Sequence, residues 1–206
     1  MGGPTARAQC CIAGGGPAGM MLALLLARAG VSVLVLEKHA DFLRDFRGDT
    51  IHPSTLELMS ELGVLDEFLA LPHEEFPTLR ARFGDQVVTL ADFSRLPTRC
   101  KFIAFMPQWD FLDFLAGRAR RYPTFDLRMR AEVLGLRMDG GRVVGVQAVT
   151  PAGPLAVQAD LVVAADGRDS VLRRAARLPV TELGAPMDVL WFRLSRRPTD
   201  TDQPLA

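Results

Sequence analysis

The sequence predicts an α/β fold built on a parallel β-sheet, and three features near its start carry that prediction. A short apolar run over 9–13 leads into the segment Gly14-Gly15-Gly16-Pro17-Ala18-Gly19. The Ala-, Leu- and Met-rich stretch over 18–29 favours a helix that stops at Gly30. The apolar, β-branched run over 31–36 is typical of a strand buried on both faces. A strand, a helix and a second strand this close together form a parallel pair with a helical crossover.

The rest of the chain alternates between helical and extended patterns. Apolar residues at helical spacing predict helices over 54–71 and 108–122, and alternation around Gly84-Asp85 predicts a β-hairpin over 78–90. A turn over 151–154 and a short basic helix over 171–177 are also expected. Further short strands are predicted over 126–130, 132–138, 143–149, 161–165 and 187–194. We expect a small three-stranded β layer within 132–157 to cover the parallel sheet.

Composition narrows the class of protein. The hydrophobic fraction of 49% is ample for a core, and the net charge of zero gives no electrostatic attraction for nucleic acid or an anionic membrane. No stretch reaches the roughly 18 uncharged apolar residues of a membrane span. Cys10 and Cys11 are adjacent in an apolar run and Cys100 is distant, which predicts reduced, inert thiols and a cytoplasmic protein. No motif predicts a metal site.

The pattern Gly14-x-Gly16-x-x-Gly19 predicts a nucleotide site. Glycines at this spacing allow a tight turn, a close backbone approach to a pyrophosphate, and close packing of helix against strand. Pro17 falls where the helix begins, and the N–H groups of the first turn, Ala18 included, together with the helix dipole favour an anion. An ordinary glycine-rich turn is the alternative, but the flanking strand–helix–strand pattern argues against it.

Glu37 supplies the second part of that site. It lies at the end of the second predicted strand, where a carboxylate can accept hydrogen bonds from both ribose hydroxyls. An acidic residue there disfavours a 2′-phosphate, so the ligand is NAD or the ADP half of FAD. Lys38, directly after it, is a further candidate contact.

The order of motifs resembles the class A FAD-dependent aromatic hydroxylases, monooxygenases of the p-hydroxybenzoate hydroxylase type. The matching segments are the glycine motif, Glu37, Arg47-Gly48-Asp49, Met106-Pro107-Gln108-Trp109-Asp110 and Asp166-Gly167-Arg168-Asp169-Ser170. The resemblance implies a split FAD-binding domain of the glutathione-reductase-like, Rossmann type. It also implies that FAD is reduced by NAD(P)H and that O2 is used to hydroxylate a small aromatic or polyketide-like substrate.

The resemblance extends to individual residues. Arg47 resembles the family arginine that faces the FAD pyrophosphate, and an arginine suits a bidentate phosphate contact. Arg44 is a weaker candidate for the same pocket, and a solvated loop arginine is the alternative for both. Gln108 resembles the glutamine set against the flavin ribityl or ribose region, with helix capping as the alternative.

The Asp166-Gly167 pair resembles the element that serves both FAD and the nicotinamide cofactor. A turn aspartate is the alternative for Asp166. Asp169 or Ser170 is expected to be the N-cap of the following helix rather than a ligand. The sequence does not identify the catalytic residues.

The resemblance fails at one point, which shapes the expected domain organisation. The family has a second, downstream Gly-Asp motif, whereas the last glycine here is Gly184. We therefore expect the N-terminal portion of such an enzyme, with nucleotide recognition retained and turnover impaired. The expected segments are an FAD-binding domain over 1–75 and 108–180, a hairpin segment of the substrate domain over 76–107, and the start of a truncated substrate-binding sheet over 181–206.

Three alternative functions remain open. The chain could be a non-catalytic FAD- or ADP-binding fragment, another FAD-dependent oxidoreductase, or an NAD-dependent dehydrogenase, although the Asp-Gly element argues against the last. We also expect the hairpin over 78–90 and the strand over 188–193 to be more exposed than their composition warrants. The sequence leaves a homodimer open.

Overall fold

The structure is a computed structural model that describes residues 5–43, 49–184, 195, 197 and 199. Its chain forms two compact units, one of Met1–Leu43 with Phe111–Pro186 and the other of Arg44–Asp110 with Met187–Ala206. These units divide the chain differently from the four segments expected from the sequence, whose functional boundaries stay predictions. The strand predicted over 187–194 lies outside the described residues.

The described residues form eleven strands and five helices. In chain order they are β1 (Thr5–Ala13), α1 (Pro17–Arg28), β2 (Val33–Glu37), β3 (Thr50–Ile51), α2 (Pro53–Glu61), α3 (Leu65–Leu69), β4 (Glu74–Phe76), β5 (Thr78–Phe83), β6 (Gln86–Asp92), β7 (Ile103–Phe105), α4 (Gln108–Ala119), β8 (Phe125–Met129), β9 (Glu132–Asp139), β10 (Arg142–Thr150), β11 (Gly153–Ala164) and α5 (Val171–Ala175).

The first unit is organised by a six-stranded sheet with the order β8-β2-β1-β11-β10-β9. The strands β8, β2, β1 and β11 run parallel, and β10 and β9 continue the sheet antiparallel. The predicted parallel pair is confirmed, since β1 and β2 are joined from Cys10↔Val33 to Ala13↔Leu36. All five residues of β2 are buried, as its apolar composition requires. Helix α1 packs beside β1, β2 and β8.

The three strands expected as a separate β layer are present, but they belong to the same sheet. The sequence prediction placed a turn over 151–154 and a new strand only at 161–165. Instead, the hairpin turn is limited to Pro151-Ala152, and β11 runs unbroken from Gly153 to Ala164. Gly153, with φ of +109°, provides the sharp return, and Pro154 is tolerated near the start of a strand. β11 therefore pairs with β10 through its first half and with β1 through most of its length.

The core of this unit shows why the sheet holds together. Apolar side chains of β1 and β2 cluster with side chains of the antiparallel strands and of α5. The members of this cluster include Leu34, Leu36, Val133, Val146, Val157 and Leu172. The antiparallel strands thus cover one face of the parallel strands, as expected, while remaining hydrogen-bonded to them through β11.

The second unit contains two small antiparallel sheets and two helices. One sheet has the order β3-β7-β4, and the other is the hairpin β5-β6. The helix predicted over 54–71 is divided into α2 and α3 at Gly63, whose φ of +71° cannot continue a helix. The predicted hairpin is confirmed, and so is its exposure, since Phe83 is 63% and Leu90 57% exposed. Among the described residues, no helix is long and apolar enough to cross a membrane.

Candidate functional site

The candidate site lies in the first unit, at the carboxyl ends of its parallel strands. In the sheet, β1 lies between β2, the next strand in the chain, and β11, the last described strand. The strand order therefore reverses at β1. Ligands bind open α/β sheets at such a switch point. Gly14 follows β1, Glu37 is the last residue of β2, and Asp166 lies in the loop after β11, so the structure brings the main predicted residues to one edge of the sheet.

Gly14 and Gly19 are required by close packing of the backbone. A Cβ atom at Gly14 would lie 2.3 Å from the carbonyl oxygen of Ala165, and its φ of +102° also favours glycine. A Cβ atom at Gly19 would lie 2.1 Å from the carbonyl oxygen of Gly14. The Gly14 N–H donates to the Leu36 carbonyl at 2.8 Å. These two glycines therefore fix helix α1 and the loop against the strands.

Gly16 is different, because neither its backbone nor its surroundings require a glycine. It is the N-cap of α1 with φ of −74° and ψ of −179°, which any residue adopts, and a Cβ atom there would meet nothing within 4 Å. Pro17 follows at the first helical position, and Ala18 is exposed. The first-turn N–H groups of a helix have no intrahelical acceptor and attract anions. A glycine at this point leaves the backbone open to a ligand.

Glu37 is buried, at 2% exposure, and both of its carboxylate oxygens accept backbone hydrogen bonds. Oε2 accepts from the Gly15 N–H at 2.7 Å, and Oε1 accepts from the His39 N–H at 2.9 Å. Lys38 is exposed beside Glu37. Sequence reasoning missed Gly15, for which the only signal was the unbroken run of three glycines.

Asp166 and Ser170 form the start of helix α5. The Ser170 hydroxyl donates to Asp166 Oδ1 at 2.5 Å, and the Leu172 N–H donates to Asp166 Oδ2 at 3.2 Å. Ser170 Oγ accepts from the Arg173 N–H at 3.0 Å, so of the two predicted N-cap candidates, Asp169 and Ser170, the cap is Ser170. Gly167 has a φ of +83°, which explains the glycine. Both carboxylate oxygens of Asp166 thus accept hydrogen bonds from nearby residues, and its contact with a cofactor stays a prediction.

The remaining predicted contacts, Arg44, Arg47 and Gln108, lie outside the described part of the first unit. Arg44 and Arg47 lie outside the described residues. Gln108 belongs to the second unit, where its N–H donates to Asp49 Oδ1 at 3.1 Å. The Asp49 carbonyl also accepts from the Met106 N–H at 3.0 Å. Asp49 therefore holds the start of α4, a role that sequence reasoning missed because the two residues are distant in the chain.

The two cysteine thiols of the first unit have raised pKa values. Cys10 and Cys11 are free and buried in β1, and burial raises the pKa of both thiols. The pKa of Cys11 rises to about 12 because burial disfavours its thiolate, and the neighbouring Cys10 adds to the effect. Within the described ranges, no group of three or more His, Cys, Asp or Glu side chains is arranged to hold a metal ion.

Comparison with known proteins gives this geometry a context. Residues 7–205 match the family described as "FAD binding domain". The chain is 35% identical over 197 residues to 6-methylpretetramide 4-monooxygenase of Streptomyces rimosus, covering 95% of this chain and 47% of that protein.

Solved structures with the same fold include two further relatives. Anhydrotetracycline hydroxylase of Streptomyces rimosus matches with a TM-score of 0.71 and 34% identity, over 82% of this chain and 33% of that one. p-Nitrophenol 4-monooxygenase of Pseudomonas putida matches with a TM-score of 0.73 and 26% identity, over 84% and 44%. The chain thus spans about a third to a half of the relatives it matches. The predicted fold class is confirmed.

Proposed function

The chain belongs to the FAD binding domain family, and on that premise we propose that the protein is an FAD-dependent monooxygenase. The reaction is hydroxylation of a small aromatic or polyketide-like substrate with NAD(P)H and O2. Relatives named as monooxygenases or hydroxylases of 6-methylpretetramide, anhydrotetracycline and p-nitrophenol support this choice. Bound FAD would supply the redox chemistry, and the protein would bind and orient it. A cytoplasmic location and a homodimer remain further proposals.

The described residues suit the ADP half of FAD. The N-terminus of α1, with Gly16, Pro17, Ala18 and Gly19, would face the pyrophosphate, where N–H groups and the helix dipole stabilise negative charge. Glu37 would accept hydrogen bonds from the adenosine ribose. The loop of Asp166 and Gly167 lies at the same edge of the sheet and would flank the cofactor. Arg44, Arg47, Lys38 and Gln108 are proposed as outer contacts on the resemblance alone.

The observation that carries this proposal is the open space at Gly16. Folding explains Gly14 and Gly19, whose added Cβ atoms would strike backbone oxygens, but it does not explain Gly16. A ligand whose atoms approach the backbone does explain it, because a methyl group would fill the space that a pyrophosphate needs. Because Gly16 lies at the N-terminus of a 12-residue helix, the site favours a negatively charged ligand.

The test is Gly16→Ala, which separates binding from folding. We expect FAD affinity to fall at least tenfold, about 1.4 kcal/mol, in a titration followed by flavin fluorescence. The midpoint of thermal unfolding should stay unchanged or rise slightly, because alanine fits the backbone at this position. Gly117→Ala is the matched control, since a Cβ atom there also meets nothing within 4 Å and lies on α4. Equal FAD affinity for Gly16→Ala and wild type would remove the main support for the proposal.

Hydroxylation itself is a separate question from binding. NADH or NADPH oxidation should be measured with FAD and a panel of phenols, comparing hydroxylated product with hydrogen peroxide. Substrate-dependent product supports the monooxygenase proposal for this chain. Bound FAD with peroxide and no product supports the alternative of a non-catalytic FAD-binding unit.

A further inference from the structure

Glu37 is placed to hold the backbone of the glycine loop, residues 14–19, as well as to contact a ribose. It is one of two buried polar or charged residues among those described, and its carboxylate reaches across 22 positions of sequence to the Gly15 N–H. That bond is short, at 2.7 Å, and lies in a buried environment where charge-assisted hydrogen bonds are strong. Gly15 stands between Gly14 and Gly16, so the bond fixes the centre of the loop.

The fit between Gly15 and Glu37 is also steric. A Cβ atom at Gly15 would lie 3.2 Å from both Glu37 Cβ and Glu37 Oε2, closer than ordinary van der Waals contact. A methyl group at Gly15 would therefore press against the Glu37 side chain. The second carboxylate oxygen accepts from the His39 N–H at 2.9 Å, so the carboxylate joins the end of β2 to the loop that follows β1.

We propose that Glu37 is a positioning residue, which holds the Gly15 amide so that the loop presents Gly16 and the start of α1 in the geometry a pyrophosphate needs. This inference rests on the proposed function and deepens it at the same site. Loss of the carboxylate leaves a buried N–H without its acceptor and frees the loop to move away from the ligand. On this basis, loss of the Glu37 carboxylate should weaken binding of the diphosphate group as well as of the ribose.

The first experiment varies the ligand and the residue together. Glu37→Gln keeps the length of the side chain, but an amide has one accepting terminus where the carboxylate has two, so one backbone bond is lost. ADP and 2′,3′-dideoxy-ADP, which lacks both ribose hydroxyls, are titrated by calorimetry against wild type and variant. We expect the dideoxy ligand to bind Glu37→Gln at least fivefold more weakly than wild type. Equal affinity for the dideoxy ligand would overturn the proposal, because Glu37 would then act through the ribose alone.

The second experiment needs no ligand. Amide hydrogen exchange of Gly15 should be at least tenfold faster in Glu37→Gln, while exchange at Leu34 in β2 should not change. Glu132→Gln, an exposed position in β9, is the matched control and should leave Gly15 exchange unaltered. Because the glutamine oxygen can still face the Gly15 N–H, Glu37→Leu, which removes both acceptors, is measured as well. An unchanged Gly15 rate in both variants would overturn the positioning role even if affinities fell. A wild-type protein that binds neither FAD nor ADP would contradict the proposed function, and the exchange result would still decide the role of Glu37.

Discussion

Neighbouring glycines in the segment 14–19 meet different steric demands. A Cβ atom added at Gly14 or Gly19 would lie 2.3 or 2.1 Å from a backbone oxygen. At Gly15 it would lie 3.2 Å from the Glu37 side chain, and at Gly16 it would meet nothing within 4 Å. The same substitution to alanine therefore has different consequences along six residues. Stability should suffer where backbone atoms are close, and binding where space is open.

Gly19→Ala is expected to destabilise the protein by roughly 1–3 kcal/mol, the usual cost of overpacking a close contact. The Gly14 carbonyl that the new methyl group would strike is backbone and cannot rotate away. Urea denaturation followed by circular dichroism measures the change. Gly16→Ala serves as the comparison, because it should leave the denaturation midpoint in place. Equal stability of the two variants would show that the contact between α1 and the loop is looser than described.

At the scale of elements, the loop after β11 is organised by helix α5. Asp166 accepts from Ser170 and Leu172, and Ser170 accepts from Arg173, so three hydrogen bonds connect the strand end to the first turn of the helix. Ser170 is only 5% exposed. Asp166 thus connects the end of β11 to helix α5, independently of any contact with a cofactor.

Ser170→Ala should cost about 2 kcal/mol of stability, since it removes an N-cap acceptor. It also removes the hydroxyl that donates to Asp166, so the cost falls at the upper end of the N-cap range. Chemical denaturation of the variant is the measurement. Asp169→Asn, at the exposed neighbouring position, is the control and should change stability little. A Ser170→Ala protein as stable as the control would mean that α5 does not depend on this cap.

At the scale of the whole molecule, the chain forms two compact units, and its cysteines are divided between them. Cys10 and Cys11 lie in the first unit and Cys100 in the second, all three buried. Burial raises the pKa of each thiol, so the reactive thiolate is suppressed in the folded state. Thiol labelling therefore reports the opening of each unit by itself.

At pH 8 without denaturant, we expect Cys10 and Cys11 to resist a thiol-specific reagent. In moderate urea they should become labelled, and added FAD should slow that labelling, because a ligand that binds the folded state stabilises it. Mass spectrometry of the modified peptides gives the rates. Labelling of Cys10 and Cys11 that is indifferent to saturating FAD would contradict a nucleotide site in this unit.

The same thiols predict a dependence of stability on alkaline pH. The Cys11 thiol has a pKa of about 12 when folded, against 9.0 for the ordinary thiol. The unfolded chain therefore loses this proton first as pH rises, and its ionisation favours unfolding. The contribution of Cys11 is complete below pH 9 and is lost as pH rises toward 12. Cys11→Ser should reduce the alkaline slope of the unfolding free energy, after allowance for its lower stability at pH 8.

Local patterns in the sequence determined the parallel β1-α1-β2 unit, the glycine motif, the acidic end of β2 and the capping serine of α5. Each depends on residues a few positions apart or on the 2.0 and 3.6 periodicities, which are legible without coordinates. The resemblance to FAD-dependent monooxygenases is likewise confirmed by the family match and the relatives.

Only the tertiary structure decided which glycine serves packing and which is left open, because Ala165 and Glu37 come from distant parts of the chain. The same is true of the hydrogen bond from Gln108 to Asp49 and of the union of the antiparallel strands with the parallel sheet through β11. Propensity and periodicity act between near neighbours, whereas these features depend on atoms that meet only after the chain has folded.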